Sequence, residues 1–337
     1  MTILKNRMTI VQAPIFAALF YWGFMLSPTP SDAVPVFPGD DIQEALNSNP
    51  SVELQAGDYY LSEPLDMPGD TTLSGMGSDT VLHINSTMDT TPYGAAINFN
   101  GNAGSNFSTV RDFSIIGGGI GLLWQAHDNV ISGVEIRDVI PPPTEDGHGI
   151  VASGGAGPSY NNQILNNKID NVHHGIGISI DGGSHHNIVK GNYVRNADMA
   201  GIDVESFWTP PIEAPHDNII DGNTVEDSII AVAVAFNTNR ALRNQVTDNI
   251  VRQPVWCLYP QRVLSGHFTS ENDWGICLPM AGIVGVNMGD MEITGNTIES
   301  APLVDIFVFD CSNVTIADNI RIWRTFSLPA RVVDECQ

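Results

Sequence analysis

Basic residues are scarce in this chain. Fourteen lysines and arginines stand against 38 acidic residues in 337, a formal charge of −24, and only three are lysines: Lys5, Lys168 and Lys190. A surface of that sign repels phosphates instead of releasing their counterions, which argues against nucleic acid and anionic membrane as partners. Cysteine is also sparse. Cys257, Cys277, Cys311 and Cys336 have spacings that match no zinc or redox motif. No apolar run reaches the ~20 residues that a membrane span needs. Helical periodicity is missing from most of the chain, which excludes a helix bundle and α/β units.

The longest apolar stretch, Ala13 to Leu26, follows Lys5 and Arg7 and precedes Ser31-Asp32-Ala33. A basic start, a short apolar run and small residues at −3 and −1 predict a secretory signal over 1–33, cut before Val34. A retained anchor is the alternative, because Phe20, Tyr21, Trp22 and Phe24 make the stretch bulky. Export predicts an extracellular, periplasmic or cell-surface location with no membrane attachment after cleavage. It also suits two disulfides, Cys257–Cys277 around one insertion and Cys311–Cys336 around the last coil.

The chain is rich in one repeating pattern. Asn167, Asn192, Asn223, Asn249, Asn296 and Asn319 recur at separations of 25, 31, 26, 47 and 23 residues. Three residues before each stands an aliphatic (Ile164, Val189, Ile220, Val246, Ile293, Ile316), and two after the first five stands another. Short β-branched runs at such a period predict a coil-by-coil β-solenoid over 34–337. Stacked asparagines at a repeated turn can hydrogen-bond from coil to coil, so they are assigned to structure. Asp41-Ile42-Gln43-Glu44-Ala45-Leu46 predicts a short amphipathic helix capping the first coil.

Ile42-Gln43-Glu44-Ala45-Leu46, Leu54-Gln55-Ala56-Gly57-Asp58-Tyr59-Tyr60 and Thr72-Leu73-Ser74-Gly75-Met76-Gly77 together resemble the opening of the pectate-lyase superfamily. The resemblance implies an all-β, single-stranded right-handed parallel β-helix. It does not fix an activity, since lyases, hydrolases, epimerases, tailspikes and adhesins share that scaffold. Gly147-His148-Gly149 resembles a segment of polygalacturonase-type hydrolases, but the neighbouring aspartates and Arg-x-Lys of that family are absent. Ala200-Gly201-Ile202-Asp203-Val204-Glu205 falls where alginate epimerases carry a tyrosine and a histidine; here Ala200 and Glu205 stand instead.

A second strand in each coil reads Gly/Ala–apolar–x–apolar, at Gly149, Gly175, Gly201, Ala231 and Gly282. Alternation predicts one outward column of Val151, Gly177, Asp203, Ala233 and Val284, and another of Ser153, Ser179, Glu205, Ala235 and Val286. Asp203 and Glu205 break this mostly small, apolar face, with Asp181 one strand spacing away. Paired carboxylates are what acid hydrolysis of a glycosidic bond requires, so Asp203, Glu205 and Asp181 are the candidate catalytic residues, joined by His148 as a candidate acid or base. The alternatives are a calcium site, because oxygens from successive coils suit that ion, and a solvated acidic surface. Hydrolysis itself requires no cofactor.

Insertions near 137–148, 207–217 and 252–280 predict a groove. Trp208, Trp256, Tyr259 and Trp274 could stack on sugar rings, with His174 and His216 as further substrate contacts; pinning the loops is the structural alternative for the aromatics. His148, His173, His174, His185, His186 and His216 are expected at turns near this same face, the His173-His174 and His185-His186 doublets as turn residues or adventitious ligands, and no dedicated metal site is expected. These residues point to a secreted polysaccharide hydrolase. A calcium-dependent lyase and a non-catalytic glycan-binding or adhesin-type solenoid are the alternatives. The glycan and the oligomeric state stay open.

Overall fold

In each coil the chain runs through three short strands and turns back onto itself one layer further along. The computed structural model describes residues 33–84, 94–141, 146–154, 157–205, 214–228, 230–234, 241–252, 281–299, 304–323, 326–330 and 332–335. Among these, the strands collect into three sheets. One full coil illustrates the plan: Gln163–Leu165 lies in the first sheet, Lys168–Val172 in the second and Gly175–Asp181 in the third. The next coil repeats it with Ile188–Lys190, Tyr193–Ala197 and Ala200–Glu205. Strand pairing between coils is parallel, apart from an antiparallel pair of Ile320–Trp323 with Phe326–Pro329.

Register is set by the buried aliphatics. Ile131, Ile164, Val189, Ile220, Val246 and Ile293 stack in the first sheet. Ile136, Ile169, Val194, Val225, Val251 and Ile298 stack in the second. Ile120, Ile150, Ile178, Ile202, Val232 and Ile283 stack in the third. All lie in one continuous core. A one-residue slip would turn a strand's apolar set outward, so the core fixes the stacking.

The corners are held by two asparagine ladders. In the expected one, the Asn192 side-chain oxygen accepts from the Asn167 backbone N–H at 2.9 Å and from its side-chain amide at 3.0 Å. The Asn192 amide in turn donates to Ile164 O and to Asn223 Oδ1. The second ladder, Asn129, Asn162, Asn187, Asn218 and Asn244, repeats this bonding at the corner between third and first sheets. The residue before each rung sits in the left-handed region, as Asn166, Gly191 and Asp248 do at one corner and Asn161, His186 and Asp217 at the other. Glycine, Asn and Asp tolerate that conformation best.

The expected helix spans Ile42–Ser48 and is called α1; Asp41 accepts from the Glu44 N–H at 2.9 Å, and Ile42 and Leu46 are buried. The Gln43 side chain bonds both the N–H and the C=O of Asp66 in the third sheet. No helix of the described residues is long and apolar enough to cross a membrane.

Candidate active site

The third-sheet strands require glycine at one position. A Cβ on Gly177 would meet Val194 Cγ1 at 2.3 Å, and one on Gly201 would meet Val225 Cγ1 at 2.1 Å. Only a residue without a side chain fits there against the second sheet. The neighbours Ile176 and Ala200 then leave the main core and join a separate cluster with Ile230, Ala233 and Val284 on the opposite face. Beyond the glycine the strand resumes alternation. Ile202 and Val204 lie in the core, so Asp203 and Glu205 share the outward face.

The pairing register corrects the expected columns. Ser179 pairs with Asp203, and Asp181 pairs with Glu205, whereas Val151 pairs with Ser179. One outward column therefore runs Val151, Ser179, Asp203, Ala233, Val284, and the next carries Asp181 beside Glu205. Gly175-Ile176 aligns with Gly147-His148 instead of Gly149-Ile150. The Gly-Ile frame occurs twice in Gly175-Ile176-Gly177-Ile178, and the core selects the second occurrence.

Asp181, Asp203 and Glu205 thus occupy adjacent rungs, and they are not on a solvated surface: they are 3, 3 and 4% exposed. Burial pushes the Asp203 carboxyl up to about 7, and the Asp181 charge adds to that; a hydrogen bond with Glu205 and one from the Val204 backbone oppose it. Burial likewise raises Glu205 well above the ordinary carboxylate range, assisted by Asp203, Asp181 and Asp146. Like charges brought together out of water cannot all ionise. Asp203 Oδ1 meets no N–H or hydroxyl donor, whereas Asp203 and Glu205 hydrogen-bond to each other. These observations agree if the pair keeps a proton. The Ser179 hydroxyl, fully buried on the rung next to Asp203, also lacks a partner. Ser179 and Asp146 were missing from the sequence reading: Ser179 was assigned to the wrong column, and Asp146 to an insertion.

The remaining candidates are dispersed. His148 lies within the strand Gly147–Ser153, not at a turn, and is 5% exposed. Burial pushes its imidazole down to about 4, so it is neutral at pH 7. Its rung partner is Ile176 on the next coil, and the strand of Asp203 and Glu205 lies one coil beyond that, so the His148 strand is roughly 10 Å from it at ~4.8 Å per strand. His174 is exposed at the corner between second and third sheets, where its backbone N–H donates to Asp198. His185, His186 and His216 stand at a different corner, between third and first sheets, where His185 and His216 stack with His127 and Tyr160 and His186 meets His185 and His216 edge-on. The histidines therefore do not share one face. Trp208, Trp256, Tyr259 and Trp274 lie outside the described residues, as do most of the insertions carrying them and Cys257, Cys277 and Cys336.

Among the described residues, one group of three His, Cys, Asp or Glu side chains brings its ligand atoms within 4.8 Å of one another: His186, His216 and Asp217. The outward carboxylates are not gathered to that spacing.

Residues 95–259 match the family model described as a right-handed β-helix region. No curated protein sequence matches the chain. Among solved structures, the surface adhesin PfbA of Streptococcus pneumoniae superposes with a TM-score of 0.54 at 11% identity, over 90% of this chain and 99% of that one. The catalytic unit of a thermostable GH87 α-1,3-glucanase from Streptomyces thermodiastaticus gives 0.51 at 16% identity, over 91% and 66%. The catalytic domain of a GH87 α-1,3-glucanase in complex with nigerose gives 0.50 at 15% identity, over 87% and 66%. The chain spans about two thirds of those glucanase structures. At these identities the likeness is one of fold.

Proposed function

Starting from a right-handed parallel β-helix of the pectate-lyase-like kind, we propose that this chain is a carbohydrate-active enzyme that hydrolyses glycosidic bonds at Asp203, Glu205 and Asp181. The observation carrying this reading is the buried Asp203–Glu205 pair, with one carboxyl pushed up to about 7. A proton retained near neutrality is what a general acid needs to protonate a leaving oxygen. Hydrogen-bonded carboxyls stand closer than the 5–5.5 Å or 6.5–9.5 Å that glycosidase carboxylates span across a scissile bond. The pair therefore acts as one proton donor, and Asp181, across the rung from Glu205, supplies the carboxylate that attacks or activates water. His148, neutral at pH 7 and on the coil next to that of Asp181, is given no step in this scheme. The protein is read as exported, with the two disulfides above, and α1 as the lid of the first coil, because Gln43 occupies the hydrogen-bonding edge of Asp66.

Elimination is less well supported. It needs a cation against the uronate carboxylate, yet Arg195 is paired with Asp170 and Arg243 with Asp217, away from the acids. Calcium-assisted lyase chemistry would need the outward carboxylates to close around the ion. A non-catalytic glycan binder is the second reading, favoured by near-complete burial of the acids and by the adhesin-like fold.

The test is release of reducing ends from a glycan panel that includes α-1,3-glucan, alongside absorbance at roughly 230–235 nm for elimination products. The expectation is reducing ends without absorbance. Asp203→Asn and Glu205→Gln should each lower turnover by about two to four orders of magnitude. Wild-type turnover in both variants would sink the assignment; absorbance would indicate a lyase, and no product from any glycan a binder.

A further inference from the structure

The corner between third and first sheets carries a stack that the carboxylate site does not use. Rings of His127, Tyr160, His185 and His216 lie face to face on consecutive coils, with centroids 4.7, 5.2 and 4.7 Å apart. Successive coils pair backbone to backbone at the same positions. The next position on each coil is a left-handed residue: Asn161, then His186, then Asp217, then Arg243. His186 is thus on one coil, and His216 and Asp217 are on the coil after it.

We propose that His186, His216 and Asp217 form a binding site for a divalent transition metal, zinc in the first instance, which staples two adjacent coils at this corner. Two imidazoles and one carboxylate suit zinc, nickel or copper, whereas magnesium and calcium prefer oxygen alone. The three ligand atoms already lie within 4.8 Å of one another. Around zinc, with bonds of ~2.0–2.1 Å, tetrahedral ligand atoms stand roughly 3.4 Å apart. Reaching that spacing needs rotation of His186, the one exposed member, and a small parting of His216 Nδ1 from Asp217, which now stand 2.7 Å apart.

The other two are pre-positioned. His216 is stacked on His185 with an interplanar angle of 11° and its Nδ1 is 2.7 Å from Asp217. Asp217 is clamped by Nε and Nη2 of Arg243 at 2.7 and 2.6 Å. The His186 Nδ1 contacts His185 Nδ1 at 2.8 Å, which orients its ring and leaves its Nε2 for the metal. Such neighbours of the ligands are what fixes ring orientation in metal sites. Three protein ligands leave a fourth position for water, and the strongly acidic surface raises the local cation concentration.

The test is calorimetric titration of the full chain, freed of metal with a chelator, with zinc chloride, and with calcium chloride for comparison, paired with thermal melts. One zinc per chain is expected, with a dissociation constant of order micromolar, a rise in melting temperature and no comparable calcium effect. His186→Asn should weaken zinc at least about tenfold while the metal-free protein still melts normally, because Asn161 holds the same left-handed position one coil away. Asp203→Asn should bind zinc as wild type does. No zinc uptake, unchanged affinity in His186→Asn, or loss of zinc in Asp203→Asn would overturn the proposal.

Discussion

At the scale of single residues, Asp203 and His148 lie two strands apart in one sheet, and burial drives their protonation in opposite senses. The folded Asp203 holds its proton up to about pH 7, but an unfolded aspartate releases it near 4. Its contribution to stability is complete below about pH 4 and is lost as pH rises towards and through 7, because the native state then binds more protons than the unfolded one. Glu205 shifts in the same direction. His148 behaves oppositely. Its folded value of about 4 lies below the ~6.5 of an unfolded imidazole, so stability is lost as pH falls from about 6.5 towards 4. Chemical denaturation between pH 4.5 and 8 should resolve both limbs. Asp203→Asn should gain on wild type as pH rises, and His148→Gln should gain as pH falls. A difference from wild type that stays constant with pH would contradict the protonation states assigned to either residue.

At the scale of elements, the asparagine ladders tie coil to coil. Asn192 accepts two hydrogen bonds from Asn167 and donates two more, while only 1% exposed. Asn192→Ala would strand several buried backbone and amide groups, and each unsatisfied group costs about 1–3 kcal/mol. A loss of about 3 kcal/mol or more is expected in urea unfolding. Asn319→Ala, at the less buried end of its run (9% exposed), should cost less; equal losses would mean that the ladder is not the source. This ladder was legible in the sequence because an aliphatic core residue precedes each rung by three positions. The second was not: the equivalent places hold Ala126, Ser159, Ser184, Pro215 and Ala241, small residues with no apolar signature to align. The third-sheet register failed for a related reason, a Gly-Ile frame that occurs twice in one strand. Alternation correctly placed Asp203 and Glu205 on the outward face, but it carries no information on whether that face is covered. Their burial, which gives the pair its chemistry, was visible only in three dimensions.

At the scale of the whole molecule, the charge of −24 sets how stability answers to salt. The few cations are largely committed. Lys168 pairs with Glu135, Lys190 with Asp221, Arg195 with Asp170, Arg243 with Asp217, and Arg252 with Glu226 and Glu299. Salt weakens these pairs, but exposed ion pairs contribute little to stability. The acids without a cationic partner repel one another along the stacked coils, and folding holds them closer than the unfolded chain does. Asp248 and Asp318 stand at the same corner two layers apart, with Gly295 between them, roughly 10 Å at ~4.8 Å per layer and comparable with the Debye length of ~10 Å at 0.1 M. Relief of this repulsion should outweigh the loss of the pairs. The melting temperature should therefore rise by several degrees between about 10 mM and 0.5 M sodium chloride, with potassium chloride giving the same rise, because screening depends on ionic strength. A melting temperature that falls with salt would show that the cross-coil ion pairs, and not the excess acid, dominate the electrostatics of the fold.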